Sequence, residues 1–175
     1  MANPMDNTPA PQPAKGALPE GRFSGPNEFA DLIRQSLICA AKEGWREMVW
    51  CDSTFADWPL GERGVTDCLS QWSRSGRKLT VLAGNYKEIV RKHSRFVTWR
   101  QRWAHIVDCR ANSAVAESDL PSALWSPVWV FQRVDTARST GFSGRGADRR
   151  VALKERLDAC LKLSSPAFAP TTLGL

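Results

Sequence analysis

Between residues 46 and 109 three short apolar runs alternate with two longer stretches of helical spacing, and that alternation restricts the chain to a small set of folds. The runs are Arg46-Glu47-Met48-Val49-Trp50-Cys51-Asp52, Lys78-Leu79-Thr80-Val81-Leu82 and Ile106-Val107-Asp108-Cys109. Each has strand length, and the lack of polar alternation in the first two is the pattern of strands buried on both faces. Between the first two, Pro59 suits the opening turn of a helix and Val65, Cys68, Leu69 and Trp72 recur at helical spacing. Between the second and third, Tyr86, Ile89 and Val90 begin a helical pattern that continues through Phe96, Val97, Trp99 and Trp103, with a possible break at His93-Ser94. Helical connections of this length favour right-handed parallel crossovers, so the sequence predicts a βαβαβ centre.

The flanks extend this core. Phe29, Leu32, Ile33, Leu37 and Ala40 give a first helix that Asn27 can cap and Gly44 can end. Residues 122–134, rich in Trp, Val and Phe and divided by Ser126-Pro127, supply one or two added strands. Residues 136–147 read as a mobile loop, and Leu153, Leu157, Cys160 and Leu161 mark a last helix. The expected fold class is therefore α/β: a small, open, mainly parallel sheet with flanking helices.

Three segments follow. Residues 1–26 carry six prolines and little core material, a disordered leader; 27–165 form a single domain; 166–175 are a tail that packs loosely. The domain, about 150 residues, is large enough for one core. No secretory signal and no apolar stretch of roughly 18 residues stands in the chain, so a cytoplasmic protein without membrane insertion is expected. Five widely spaced cysteines without a C-x-x-C pair read as reduced, buried thiols. With 24 Lys and Arg against 18 Asp and Glu the net charge is +6, which steers polyanions toward the surface.

The order of elements, the run Phe55-Ala56-Asp57-Trp58-Pro59-Leu60-Gly61-Glu62, the segment Arg95-Phe96-Val97-x-Trp99-Arg100 and the ending Thr171-Thr172-Leu173-Gly174-Leu175 resemble a family of uncharacterised proteobacterial domains. Those domains look like a degenerate single half of the phospholipase D-like fold, and the resemblance runs from about residue 29 to 175. Phospholipase D enzymes draw H-x-K-x4-D from two half-domains, with one His attacking phosphorus, the other protonating the leaving group and the Lys residues stabilising the charge. Here the two histidines read His93-Ser94-Arg95 and His105-Ile106-Val107, and 121–134, where the motif is expected, has none. The resemblance thus implies the fold without the phosphodiesterase chemistry, and neither a catalytic set, a metal nor a cofactor is expected.

Candidate sites remain. Asp52, Asp57 and Glu62 cluster around the loop leaving the first strand, where open α/β sheets bind ligands, although helix capping also accounts for carboxylates at such positions. Lys87, Arg91, Lys92, Arg95, Arg100 and Arg102, interleaved with Phe96, Trp99 and Trp103, form the densest basic-aromatic stretch, suited to single-stranded nucleic acid or another polyanion. The competing reading is a solvated basic face whose tryptophans pack inward. Gly141-x-x-Gly144-x-Gly146 ahead of Arg149 and Arg150 could cradle a phosphate, or be a flexible loop. The expected function is a non-catalytic binding or regulatory module with a basic surface for a polyanion or protein partner. The alternative is a divergent phosphodiesterase acting as a dimer, which needs His93 and His105 to face one cleft. Trp125 and Trp129, if unpaired on an edge, would favour a homodimer.

Overall fold

The computed structural model describes residues 17–75 and 77–170. In chain order the elements are β1 (Gly21–Ser24), α1 (Pro26–Glu43), β2 (Glu47–Asp52), α2 (Arg63–Ser73), β3 (Lys78–Ala83), α3 (Lys87–Lys92), α4 (Ser94–Arg102), β4 (Val107–Ala111), β5 (Ser122–Trp125), β6 (Val130–Asp135), β7 (Thr140–Gly144), α5 (Ala147–Lys162) and β8 (Ser165–Pro166), with one 3-10 turn at Glu117–Asp119. Pro26 opens α1, and Gly44 ends it in the left-handed conformation at φ 70°, where its N–H caps Ala40 O. The eight strands form one sheet in the order β1-β7-β6-β5-β2-β3-β4-β8.

Alternation along the strands divides the interior in two. Met48 and Trp50 of β2, Leu79 and Val81 of β3, Leu124 of β5 and Phe131 of β6 meet α1 to α4 on one face. Val49 and Cys51, Leu82, Ala123 and Val130 point to the other face and meet Leu153 and Leu157 of α5. The domain is thus a helix–sheet–helix sandwich with unequal layers, four helices on one side and one on the other.

Only the β2-β3 and β3-β4 pairings are parallel; the remaining five are antiparallel. The βαβαβ centre stands, but the expectation of a mainly parallel sheet is corrected to a mixed one. Short turns join β5, β6 and β7 and force antiparallel neighbours, while β5 returns beside β2 without a helical crossover of its own. The stretch read as a loop contains β7. Residues assigned to the leader also join the fold: β1 pairs with β7, Phe23 packs on Phe29, and Leu18 is buried. A strand between Pro19 and Pro26 is compatible with prolines because it lies at the sheet edge. Residues 1–16 lie outside the described part. In the tail, Ser165–Pro166 pairs with β4 and Phe168 stacks on Tyr86 at 4.9 Å, whereas 171–175 also lie outside it. Among the described residues no helix is long and apolar enough to cross a membrane.

Gly141 sits where β7 approaches β6 most closely. A Cβ there would collide with Gln132 O and stand 2.8 Å from both Arg133 Cα and the Phe23 ring. Gly64, exposed in α2, meets nothing within 4 Å. Gly141→Ala is expected to lower the unfolding free energy by about 3 kcal/mol through overpacking against backbone. Gly64→Ala should raise it by roughly 0.5–1 kcal/mol through helix propensity. Urea melts of the two variants check both signs.

Candidate functional site

Asp52, at the carboxyl end of β2, is held by its own loop and by two distant strands. Its Oδ1 accepts the backbone N–H groups of Thr54 (3.1 Å) and Phe55 (2.9 Å), which closes a tight turn and places Phe55 at φ 58°. Its Oδ2 accepts from Ser122 Oγ (2.6 Å), Arg133 Nη2 (2.7 Å) and Trp58 Nε1 (3.2 Å). Arg133 Nε donates to Ser122 Oγ (2.8 Å), and its Nη atoms donate to both oxygens of Asp57 and to Ser139 Oγ. The Arg133 side chain is 2% exposed and Asp52 5%, whereas Asp57 is 48% exposed. The guanidinium also lies 3.9 Å over the Phe29 ring.

These groups line a cavity of about 360 Å³ together with Thr54, Glu117 and Thr136. Of the three carboxylates singled out in the sequence, Asp52 and Asp57 lie together in this cavity. Neither is a helix cap; both are counter-ions to Arg133. Glu62 is not part of it. Pro59, Leu60 and Gly61 carry the chain away to the start of α2, where Glu62 pairs with Arg34 of α1 at 2.6 Å. That guanidinium holds the Glu62 carboxyl below its ordinary range. Chemically the pocket is a closed set of mutual partners: the Ser122 hydroxyl accepts from Arg133 while donating to Asp52, and no imidazole lines it.

Sequence reasoning missed Arg133. The signal was there in the alternation Trp129, Phe131, Arg133, which puts a cation on the same inward face as two aromatic rings and demands buried carboxylates.

The basic stretch divides at His93 into α3 and α4. Arg91 and Lys92 both pair with Glu88, at 2.7 and 3.1 Å, and their hydrogen bonds hold its carboxyl below the ordinary range. Lys87 is exposed. Trp99 and Arg100 follow Phe96 by three and four residues, so all three share the inward face and are buried. Neither can lie on an exposed basic surface as the sequence suggested. Arg100 instead donates to Cys109 Sγ at 3.1 Å, and burial pushes the Cys109 thiol up.

Arg95 and Arg102 do face solvent, one on each side of Thr98. With Arg63, Thr66, Asp67 and Ser70 of α2 they line a groove of about 470 Å³ whose wall is the Trp99 ring. Arg95 donates one N–H to Gly61 O (3.0 Å), and Arg63 lies 3.9 Å from Asp67 with both side chains largely exposed, a pairing worth little. Arg63, absent from the sequence candidates, joins the groove because α1 and α4 both pack on α2 and leave one face of it open.

The two imidazoles do not share a cleft. His93 is buried and its Nε2 lies 2.8 Å from Phe55 O, beyond the carboxyl end of β2, and burial holds its pKa below the ordinary value. His105 is exposed just before β4, at the amino end of the parallel strands. Trp125 and Trp129 are not edge residues either: β5 is interior, Trp129 is buried against Pro19 O, and Trp125 Nε1 donates to Arg150 O. The argument for self-association from those two rings therefore falls. In the glycine-rich stretch, Arg150 is spent on the carbonyls of Arg145 and Pro127, while Arg149 lies 4.2 Å over the Phe142 ring. Among the described residues no group of three or more His, Cys, Asp or Glu is placed to hold a metal ion.

No protein-family model matches the chain, and no curated protein does. Solved structures similar in fold include the following two. TrmBL2, an archaeal chromatin protein whose structure shows a novel mode of DNA binding, matches with a TM-score of 0.62 and 14% identity over 93% of this chain. The chain spans only 57% of TrmBL2. NucT from Helicobacter pylori matches with a TM-score of 0.55 and 11% identity over 85% of this chain and 99% of its own. At these identities the likeness is one of fold.

Removing Asp52 leaves a buried guanidinium without its inner partner, so Asp52→Ala is expected to cost about 3–5 kcal/mol of stability. Glu62→Ala breaks only a surface pair and should cost less than about 1 kcal/mol. Equal losses in denaturant melts would contradict this division. For His93 the folded pKa lies below the unfolded value near 6.5, so the unfolded chain takes up the proton first as pH falls. Its contribution to stability is complete above about pH 7 and is lost as pH drops through 6.5 toward the folded value. His93→Gln should remove that component from a stability-versus-pH series.

Proposed function

We propose that this domain is a non-catalytic nucleic-acid-binding module that holds a phosphate backbone in the groove between α2 and α4. The observation that carries this reading is the groove itself. Arg63, Arg95 and Arg102 flank it without a strong ion pair, and Ser70 and Ser94 line it beside them, while the Thr66 and Thr98 hydroxyls donate to backbone carbonyls of their own helices. Guanidiniums spaced along two helices can neutralise successive phosphates, and hydroxyls are common donors to phosphate oxygens. Lys87, Arg91 and Lys92 contribute charge at long range, and the net charge of +6 supports the same direction.

The fold likeness to a DNA-binding chromatin protein and to NucT is compatible with this reading. We read the chain as a single phospholipase D-like half whose strand-end pocket holds an arginine–carboxylate clasp in place of the H-x-K-x4-D groups, in a cytoplasmic protein of an uncharacterised family. His93 serves the Phe55 turn and His105 stands at the far end of the strands, so neither supplies a nucleophile to the pocket.

Anisotropy titrations of a labelled 20-nucleotide single strand and its duplex, from 50 to 300 mM salt, test the proposal. The triple variant Arg63→Ala, Arg95→Ala, Arg102→Ala should bind at least about tenfold more weakly. Its log K against log salt slope should flatten by about 2–3, from the loss of roughly 0.7–0.9 per phosphate contact. Unchanged affinity and slope in a folded triple variant would sink the groove as the site.

A further inference from the structure

The sheet extends past the cover of its single outer helix. Val49, Cys51, Leu82 and Val130 lie under α5, but at the β6-β7-β1 end the same face is open. There the register aligns Gln132, Phe142 and Arg22 across three strands, with Thr140 beside Phe142 along β7. Residues i and i+2 share a face, so these side chains stand on one surface. Arg22, Thr140, Phe142 and Arg149 line a concavity of about 720 Å³ there, with Val134, 73% exposed, beside them.

Phe142 is half-buried and belongs to neither core cluster. The Arg149 guanidinium reaches over one face of its ring from the first turn of α5, 4.2 Å from the centroid. Arg149 is exposed and has no ion pair among the described residues, so little holds it there beyond an exposed cation–π contact. Arg22 across the strand pair is likewise exposed and free of a carboxylate. Glu28 is the carboxylate among the lining residues, and its Oε2 is taken by the Ser24 N–H at 2.7 Å.

An aromatic ring on an open sheet face, with an exposed guanidinium above it and a second one alongside, matches an unpaired nucleobase and its phosphate. We infer that this face is a stacking platform for single-stranded nucleic acid. A base stacks on Phe142 as Arg149 lifts and takes the other side of the base, and Arg22 neutralises the adjoining phosphate. A duplex hides its base faces and gains nothing from the ring. The inference rests on the reading of the chain as nucleic-acid-binding, but adds a site on the opposite face of the sheet from the α2-α4 groove and a preference that phosphate contacts alone do not give.

The test measures labelled dT15 and a dT15–dA15 duplex against the whole chain and four variants: Phe142→Ala, Phe142→Trp, Arg149→Glu and the groove triple variant. Phe142→Ala should weaken dT15 binding about five- to 100-fold, the range of one lost base stack, and leave the duplex within twofold. Phe142→Trp should restore dT15 binding. Arg149→Glu, on an exposed helix position that leaves the core untouched, should weaken dT15 and so reports even if Phe142→Ala fails to fold. Wild-type dT15 affinity in folded Phe142→Ala and Arg149→Glu, or equal losses on strand and duplex, would overturn the platform. If the triple variant alone loses both ligands, the groove stands and the platform falls; if the triple variant binds normally while Phe142→Ala loses dT15, the platform stands and the groove falls.

Discussion

The buried guanidinium of Arg133 is the constraint around which one end of this domain is arranged. A cation almost wholly out of water is tolerated only if its counter-charges and hydrogen-bond acceptors come with it. Here they come from residues 52, 57, 122 and 139, up to 81 positions away in the chain, and from the face of Phe29 on α1. Meeting that requirement aligns β6 with β5 and β2, fixes the turn after β2 through Asp52, and holds Phe55 in a left-handed conformation that its side chain would not choose. His93 then finds its acceptor on the same turn, so the α3-α4 junction is tied to the clasp as well.

The clasp also decides what the strand-end pocket can do. Carboxyl ends of strands in open α/β sheets are where ligands usually bind, and a cavity is present there. Asp52, Asp57 and Arg133, however, are engaged with one another, and an incoming ligand would have to break their network to reach them, while Glu117 at the rim holds Asn85. Binding capacity is left to the peripheries, where cations are exposed and not strongly paired. The unequal layering of the fold creates two such places: a groove where α2 and α4 diverge over the crowded face, and a bare patch of sheet where α5 alone is too narrow to cover eight strands.

The apolar rhythm from Met48 to Cys109 was enough to define β2, α2, β3, the α3-α4 pair and β4, because strands buried on both faces and amphipathic helices each leave a local period in the residues. The break at His93 was equally legible. So was the absence of H-x-K-x4-D, and with it the absence of phospholipase D chemistry from any local motif. Proline and glycine content misled in two places. Between Pro19 and Pro26 it hid an edge strand anchored by Phe23, and around Gly141 it hid a strand whose glycine is demanded by close approach to β6. Composition reports how freely a segment moves alone, not what a neighbouring strand offers it.

Strand direction, partner choice and side-chain fate were decided only in three dimensions. Asp57 and Glu62 are five residues apart with the same charge, yet one closes on Arg133 and the other on Arg34, because the turn at Pro59 sends them to different surfaces. Trp99 and Arg100 stand in the densest basic stretch of the sequence, yet packing turns both inward, whereas Phe142 is left half-buried on the sheet outside both core clusters. The sequence by itself determined the periodicities, the charge and the absence of H-x-K-x4-D, since each is a property of neighbouring residues. Which cations stay exposed depends on long-range contacts whose partners no local pattern specifies.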